Sequence, residues 1–274
     1  MSHPLQDFML STEPFYQPKG DEIQQYSAAY RQKLPVLLKG PTGCGKTRFV
    51  EHMAYTLGKP LISVACNEDM AASDLMGRFL LNEKGTQWID GPLTLAARHG
   101  AICYLDEVVE ARQDTTVVIH ALTDYRRRIL LEKINEVIEA HPDFQLVVSY
   151  NPGYQSLVKD LKPSTRQRFI SFEFDFPEAA SETAILVRET GLDADTCRLL
   201  VEIAQVGRRL KGHGLTEGIS TRLLVNAAHL INQGIDFSEA CQLALISPVT
   251  DDADIADTLR HAVLAMSPTQ SEQH

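Results

Sequence analysis

Gly40-Pro41-Thr42-Gly43-Cys44-Gly45-Lys46-Thr47 follows the apolar run Val36-Leu37-Leu38 and satisfies the pattern G-x-x-x-x-G-K-[ST] at every fixed position. Glycines in such a loop permit backbone angles that turn successive N–H groups inward, where phosphate oxygens can accept from them. The helix expected after the loop sets the positive end of its dipole beneath the same phosphates. Lys46 is placed to reach the β- and γ-phosphates, and the Thr47 hydroxyl to take one position on Mg²⁺. The loop therefore reads as a site for a nucleoside triphosphate.

A second acidic half is expected at Ile102-Cys103-Tyr104-Leu105-Asp106-Glu107. Asp106, at the end of a buried strand, suits Mg²⁺ held through its water shell. Glu107 beside it suits a base that orients and deprotonates an attacking water, so the pair favours hydrolysis over transfer to another acceptor. Asn151, in Val147-Val148-Ser149-Tyr150-Asn151-Pro152, places an amide where it could hold the same water from the other side. Pro163-Ser164-Thr165-Arg166-Gln167-Arg168-Phe169 puts two arginines before a further strand. Arg168 is the first choice and Arg166 the second for stabilising γ-phosphate charge at a subunit face. Arg222, in Gly218-Ile219-Ser220-Thr221-Arg222, starts a later helix and is placed to reach the phosphates.

Several elements must position these side chains. Helical spacing from Asp21 to Lys33 has Asp21 as its N-terminal cap, and a strand over 35–39 leads into the loop. The loop's helix should run to about Leu57. Buried strands are expected at 61–65, 101–105, 145–149 and 169–174, separated by helices, which implies a mostly parallel five-stranded sheet covered on both faces. Two β-hairpins interrupt this α/β order. One lies over 79–89 around Asn82-Glu83-Lys84-Gly85, and the other over 126–134. Beyond Phe176-Pro177 every segment is helical in period. The expected organisation is an arm over 1–20, a nucleotide-binding core over 21–176, a small all-α lid over 177–267 and a tail over 268–274. The apolar first hairpin is a candidate contact surface; its Trp88 could equally face a partner or pack on its own domain. His99, His120 and His141 are isolated and need no ligand role.

The chain has 274 residues, 44% of them hydrophobic, enough for a sizeable core. A net charge of −10 argues against a dedicated nucleic-acid binder. No uncharged apolar stretch approaches the ~20 residues that cross a bilayer, so no membrane insertion is expected. No secretory signal is evident near the N-terminus. The five cysteines are scattered and never in a C-x-x-C pair, as expected of reduced thiols in a cytoplasmic protein.

In order, these features resemble an AAA+ ATPase, and the inserted hairpins with Gly91-Pro92-Leu93 resemble its MoxR branch. Longer stretches are similar to the CbbQ/NirQ/NorQ group over nearly the whole chain. They are Pro14-Phe15-Tyr16-Gln17-Pro18, Tyr104-Leu105-Asp106-Glu107-Val108-Val109-Glu110-Ala111-Arg112, Ser149-Tyr150-Asn151-Pro152-Gly153-Tyr154-Gln155-Ser156, and Leu161 to Phe169. The resemblance implies a homo-hexameric, Mg²⁺-dependent ATP hydrolase working with an adaptor that carries a von Willebrand factor A domain. It also implies roles: Lys46 and Thr47 on phosphate and Mg²⁺, Asp106 and Glu107 as the Walker B pair, Asn151 as sensor 1. Arg222 becomes sensor 2, and Arg168 or Arg166 the finger. CbbQ relatives release inhibitory sugar phosphates from rubisco, whereas NirQ and NorQ relatives help activate nitric oxide reductase. No residue separates these two clients, and overall likeness to the CbbQ members makes rubisco the first expectation and nitric oxide reductase the second. Two readings from other classes are a monomeric P-loop kinase for a small metabolite, which leaves the hairpins and arginines without a purpose, and a nucleic-acid motor, which the acidic balance opposes.

Overall fold

The computed structural model describes residues 4–83, 85–152 and 161–267. Lys84 at the first hairpin's tip, Gly153 to Ser156 of the stretch beginning at Ser149, and the expected tail lie outside the described residues. The chain divides into two units, Met1–Gly40 with Lys46–Phe174, and Pro41–Gly45 with Asp175–His274.

In the first unit the order is α1 (Glu22–Arg31), β1 (Val36–Lys39), α2 (Lys46–Leu57), β2 (Leu61–Ala65), α3 (Ala72–Met76), β3 (Gly77–Asn82), β4 (Gly85–Asp90) and α4 (Pro92–His99). It continues through β5 (Ile102–Asp106), α5 (Gln113–Thr123), β6 (Arg128–Leu131), β7 (Glu136–Glu139), β8 (Gln145–Tyr150), α6 (Pro163–Arg166) and β9 (Ile170–Glu173). Five strands form one parallel sheet in the order β2-β5-β8-β1-β9. β1 and β8 lie inside that order, which is why Val36, Leu37 and Leu38 are fully buried and every residue of β8 is buried. The register sets Leu38 beside Ser149 and Leu105 beside Val148, so the carboxyl ends of β1, β5 and β8 are neighbours. Loops leaving those ends carry the candidate residues, the usual place for a site on an open α/β sheet.

Both expected hairpins are present, as β3–β4 and β6–β7. The second lies further along than the 126–134 expected from the sequence. Ile134 sits in a single 3₁₀ turn at its tip, and the return strand is Glu136–Glu139, whose alternating charges masked it. Asp21 occupies the cap position of α1 without a side-chain hydrogen bond. Glu22, the first residue of the helix, instead holds the chain leading into it, its carboxylate accepting from the Lys19 and Gly20 N–H groups at 2.7 and 2.8 Å. The arm lies on α2: the Tyr16 ring is 5.2 Å from that of Phe49, and Pro14 O is 3.2 Å from His52 Nδ1. Trp88 packs against its own unit's core and donates to Asp90 Oδ1 at 2.8 Å.

The second unit is helical: α7 (Ala179–Thr190), α8 (Ala194–Arg209), α9 (Thr221–Asn232), α10 (Phe237–Cys241), which runs into a π-helical turn at Gln242–Ile246, and α11 (Ala253–Met266). Leu200, Val201, Leu224, Ala227 and Leu259 are among the fully buried members of its separate apolar core. One ion pair is buried with them. Glu182, with no exposed surface, accepts two bonds of 2.7 Å from Arg208 and a third from the Thr221 hydroxyl. Arg208 also donates to Ile219 O at 2.9 Å, and its guanidinium lies 4.0 Å from the Phe176 ring centroid.

Candidate functional site

The phosphate-loop candidates begin where β1 ends. Gly40 closes onto the sheet, its N–H donating to Tyr150 O at 3.3 Å. A Cβ there would sit 2.4 Å from Phe174 O, so only glycine fits. Gly43 has φ +69°, and a Cβ on it would lie 2.7 Å from the Ser220 Cβ and 3.4 Å from that of Arg222. Thr42 Oγ1 donates to Glu217 at 3.4 Å. Pro41 follows Gly40, Cys44 is buried, and Gly45, with φ +100°, leads into Lys46. Lys46, the first residue of α2, is buried, and its ammonium donates to Gly40 O at 2.8 Å. The loop thus folds around its own lysine.

A hydroxyl–carboxylate cluster lies beside it. Thr47 Oγ1 is 3.4 Å from Asp106 Oδ2 and 3.3 Å from the Tyr104 hydroxyl. Tyr104 donates to Asp106 Oδ1 at 2.7 Å, and Ser149 Oγ donates to the same oxygen. Ser149 Oγ also accepts from the Glu107 N–H at 3.1 Å. Tyr104 and Asp106 share a strand face because side chains alternate along β5. Ser149 joins them from β8, whose register with β5 brings the two strand ends together. Burial, with the Asp106 charge beside it, raises the Tyr104 phenol far above its usual range, so it stays a hydrogen-bond donor. Cys66, next to the same carboxylates, is pushed up to about 12, first by burial and then by those charges.

Glu107 adopts φ +53° and ψ +47°, a left-handed conformation costing a non-glycine residue ~1–2 kcal/mol. Both of its peptide groups are held, the N–H by Ser149 and the carbonyl by the Glu110 N–H at 2.8 Å. Asn151 is buried immediately after β8, adjacent in register to Gly40.

Arg166 ends α6 and is half-buried, whereas Arg168 is exposed before β9. Between them and α5, His120 Nε2 is 2.8 Å from Thr165 Oγ1, and burial together with Arg168 and Lys162 lowers its pKa below the usual value. Arg222 is exposed in the first turn of α9, whose N-cap Ser220 accepts from the Leu223 N–H. The sequence reading missed Ser149, Tyr104 and His120 as members of these clusters. The available signal was a serine inside the otherwise apolar run Leu146-Val147-Val148-Ser149-Tyr150.

These residues fit a nucleoside triphosphate with a hard divalent cation. The lysine is pre-placed on its loop, Gly40 and Gly43 sit where a Cβ would clash, and Thr47 and Asp106 converge as oxygen donors of the kind Mg²⁺ takes. Among the described residues no helix is long and apolar enough to cross a membrane.

Residues 35–169 match the family described as AAA domain (dynein-related subfamily), and residues 182–266 match CbbQ/NirQ/NorQ C-terminal. The chain is 63% identical to Protein CbbQ of Hydrogenophilus thermoluteolus over 93% of its own length and 96% of that protein's. It is 58% identical to Protein NorQ of Paracoccus denitrificans, covering 92% and 94% of the two chains. Among solved structures it resembles a variant of Thermotoga maritima RuvB at TM-score 0.54 and 15% identity, over 90% of this chain and 73% of that one. The last likeness concerns the fold alone.

Proposed function

The chain belongs to the CbbQ/NirQ/NorQ family of AAA+ ATPases, and from that premise we propose that it hydrolyses ATP with Mg²⁺ to remodel a client enzyme. The observation that carries the hydrolysis is the meeting of Thr47, Asp106 and the Glu107 backbone within one hydrogen-bonded cluster. In this reading the loop N–H groups and Lys46 bind the β- and γ-phosphates, and Thr47 and Asp106 hold the cation directly or through water. Bound Mg²⁺ supplies charge neutralisation on those phosphates. Glu107 orients and deprotonates the attacking water while Asn151 holds it from β8. Arg222 contacts the phosphates from the start of α9, a role supported by the closeness of its Cβ to the loop at Gly43. Arg168, with Arg166 as the alternative, acts on the nucleotide of a neighbouring copy in a hexamer.

Rubisco is the proposed client, with a von Willebrand factor A domain adaptor selecting it. Supporting this is the higher identity to CbbQ, 63% against 58% to NorQ, over nearly equal lengths. Nitric oxide reductase is the second reading, favoured by the narrowness of that gap.

The test combines the purified chain, the adaptor and rubisco blocked by a sugar phosphate. Recovery of carboxylation that needs ATP and disappears in Glu107→Gln, with nucleotide still bound, is the expected result. ATP hydrolysis with no rubisco recovery moves the client to nitric oxide reductase. Normal turnover in Glu107→Gln removes that residue from the reaction.

A further inference from the structure

Asp106 accepts two hydroxyl donors on one oxygen, from Tyr104 and Ser149, and faces Thr47 with the other. A hydroxyl has one hydrogen to give and two lone pairs. The Tyr104 hydrogen is committed to Oδ1, so across the 3.3 Å contact with Tyr104 it is Thr47 that must donate. The Thr47 hydroxyl therefore spends its hydrogen inside the cluster, toward Tyr104 or Asp106 Oδ2, and keeps lone pairs for a cation. Ser149 likewise spends its hydrogen on Asp106, and one of its lone pairs takes the Glu107 N–H. One fully buried hydroxyl thus ties together both members of the acidic pair and helps to hold the left-handed backbone at Glu107.

We propose that Ser149 is a positioning residue that sets the Asp106 carboxylate and the Glu107 backbone together, with Tyr104 as its partner on the cation side alone. This rests on the nucleotide and Mg²⁺ reading of the site. The asymmetry follows from the contacts. Both hydroxyls orient Asp106, so losing either disturbs the cation's oxygen donors. Of the two, Ser149 alone accepts from the Glu107 N–H, so its loss disturbs the base more directly. A serine that merely packed β8 against β5 would affect stability without touching the cation requirement.

The experiment uses the full chain and a fluorescent ATP analogue, with Mg²⁺ titrated against binding, alongside steady-state turnover. Ser149→Ala and Tyr104→Phe are each expected to raise the Mg²⁺ concentration for half-maximal binding by about tenfold, the usual scale for a residue that orients a metal ligand. Binding without Mg²⁺ stays as in the parent. At saturating Mg²⁺, Ser149→Ala loses turnover by about tenfold or more at unchanged nucleotide KM, a larger loss than in Tyr104→Phe. Ser149→Thr, which keeps the hydroxyl, restores both values. A parent-like Mg²⁺ requirement in both variants overturns the proposal, as does an equal turnover loss in the two. Should Ser149→Ala fail to fold, Tyr104→Phe decides by its Mg²⁺ requirement. A parent protein whose nucleotide binding ignores Mg²⁺ overturns instead the reading of the site on which this rests.

Discussion

His120, expected to need no ligand role, is held in place by a neighbour that its sequence position does not reveal. Its ring is bonded to Thr165, between the two candidate finger arginines and the helix α5 that carries it. Burial first, then Arg168 and Lys162, disfavour its charged form, so the folded protein binds this proton less readily than the unfolded chain does. Both states are neutral well above pH 6.5, where the histidine contributes no pH dependence. As pH falls from there through the lowered folded value, the unfolded state takes up the proton first and stability drops. Denaturant unfolding between pH 7.5 and 5 should show this slope, and His120→Asn should flatten it. An identical slope in the variant would assign the effect to another group. Cys66 follows the same electrostatics with opposite consequence. Held near 12 beside Asp106 and Glu107, its thiol stays protonated and unreactive at neutral pH.

At the scale of elements, the second unit hangs on the junction of α7, α8 and α9. Glu182 of α7, Arg208 of α8 and Thr221 at the start of α9 meet in one buried group, and Arg208 also holds the Ile219 carbonyl just before the α9 cap. The group therefore fixes where Ser220 and Arg222 begin. Glu182→Ala leaves the Arg208 guanidinium, 15% exposed, without its carboxylate, and its expected cost is about 2–3 kcal/mol in denaturant unfolding, below that of a fully buried pair. A loss under about 1 kcal/mol would mean that the pair behaves like an exposed bridge. The two hairpins obey a different balance. β3–β4 leaves Phe79, Leu80, Leu81 and Ile89 exposed while Trp88 is drawn onto the core. Arg98 of α4 bonds Asp90 at the end of β4 and Glu136 at the start of β7, so both hairpins are tied to one helix. Neither tie shows in a periodicity, because an ion pair between a helix and a strand repeats at no helical or strand spacing.

For the whole molecule the decisive question is what Arg168 meets. It is exposed, as a residue serving a neighbour's nucleotide would be. Arg168→Ala should assemble with ATP like the parent in native mass measurement yet lose hydrolysis, by the 10³-fold or more typical of such a finger. If Arg166→Ala behaves this way and Arg168→Ala hydrolyses normally, the role passes to Arg166; a persistent monomer would remove the ring. The sequence by itself determined the parallel α/β order, the presence of two hairpins, the helical second half and the glycine-rich loop between β1 and α2. Each of these is written in local terms: apolar runs with a period, glycines where the backbone must turn, and a lysine and threonine at set spacing. It did not determine that Ser149 of β8 would bridge Asp106 and Glu107, that Glu107 would turn left-handed, or that Glu182 would be buried against Arg208 and Thr221. Those contacts join residues 26 to 43 positions apart. They exist only because strand register and helix packing bring buried polar groups together, where each must find a partner or pay the desolvation of having none.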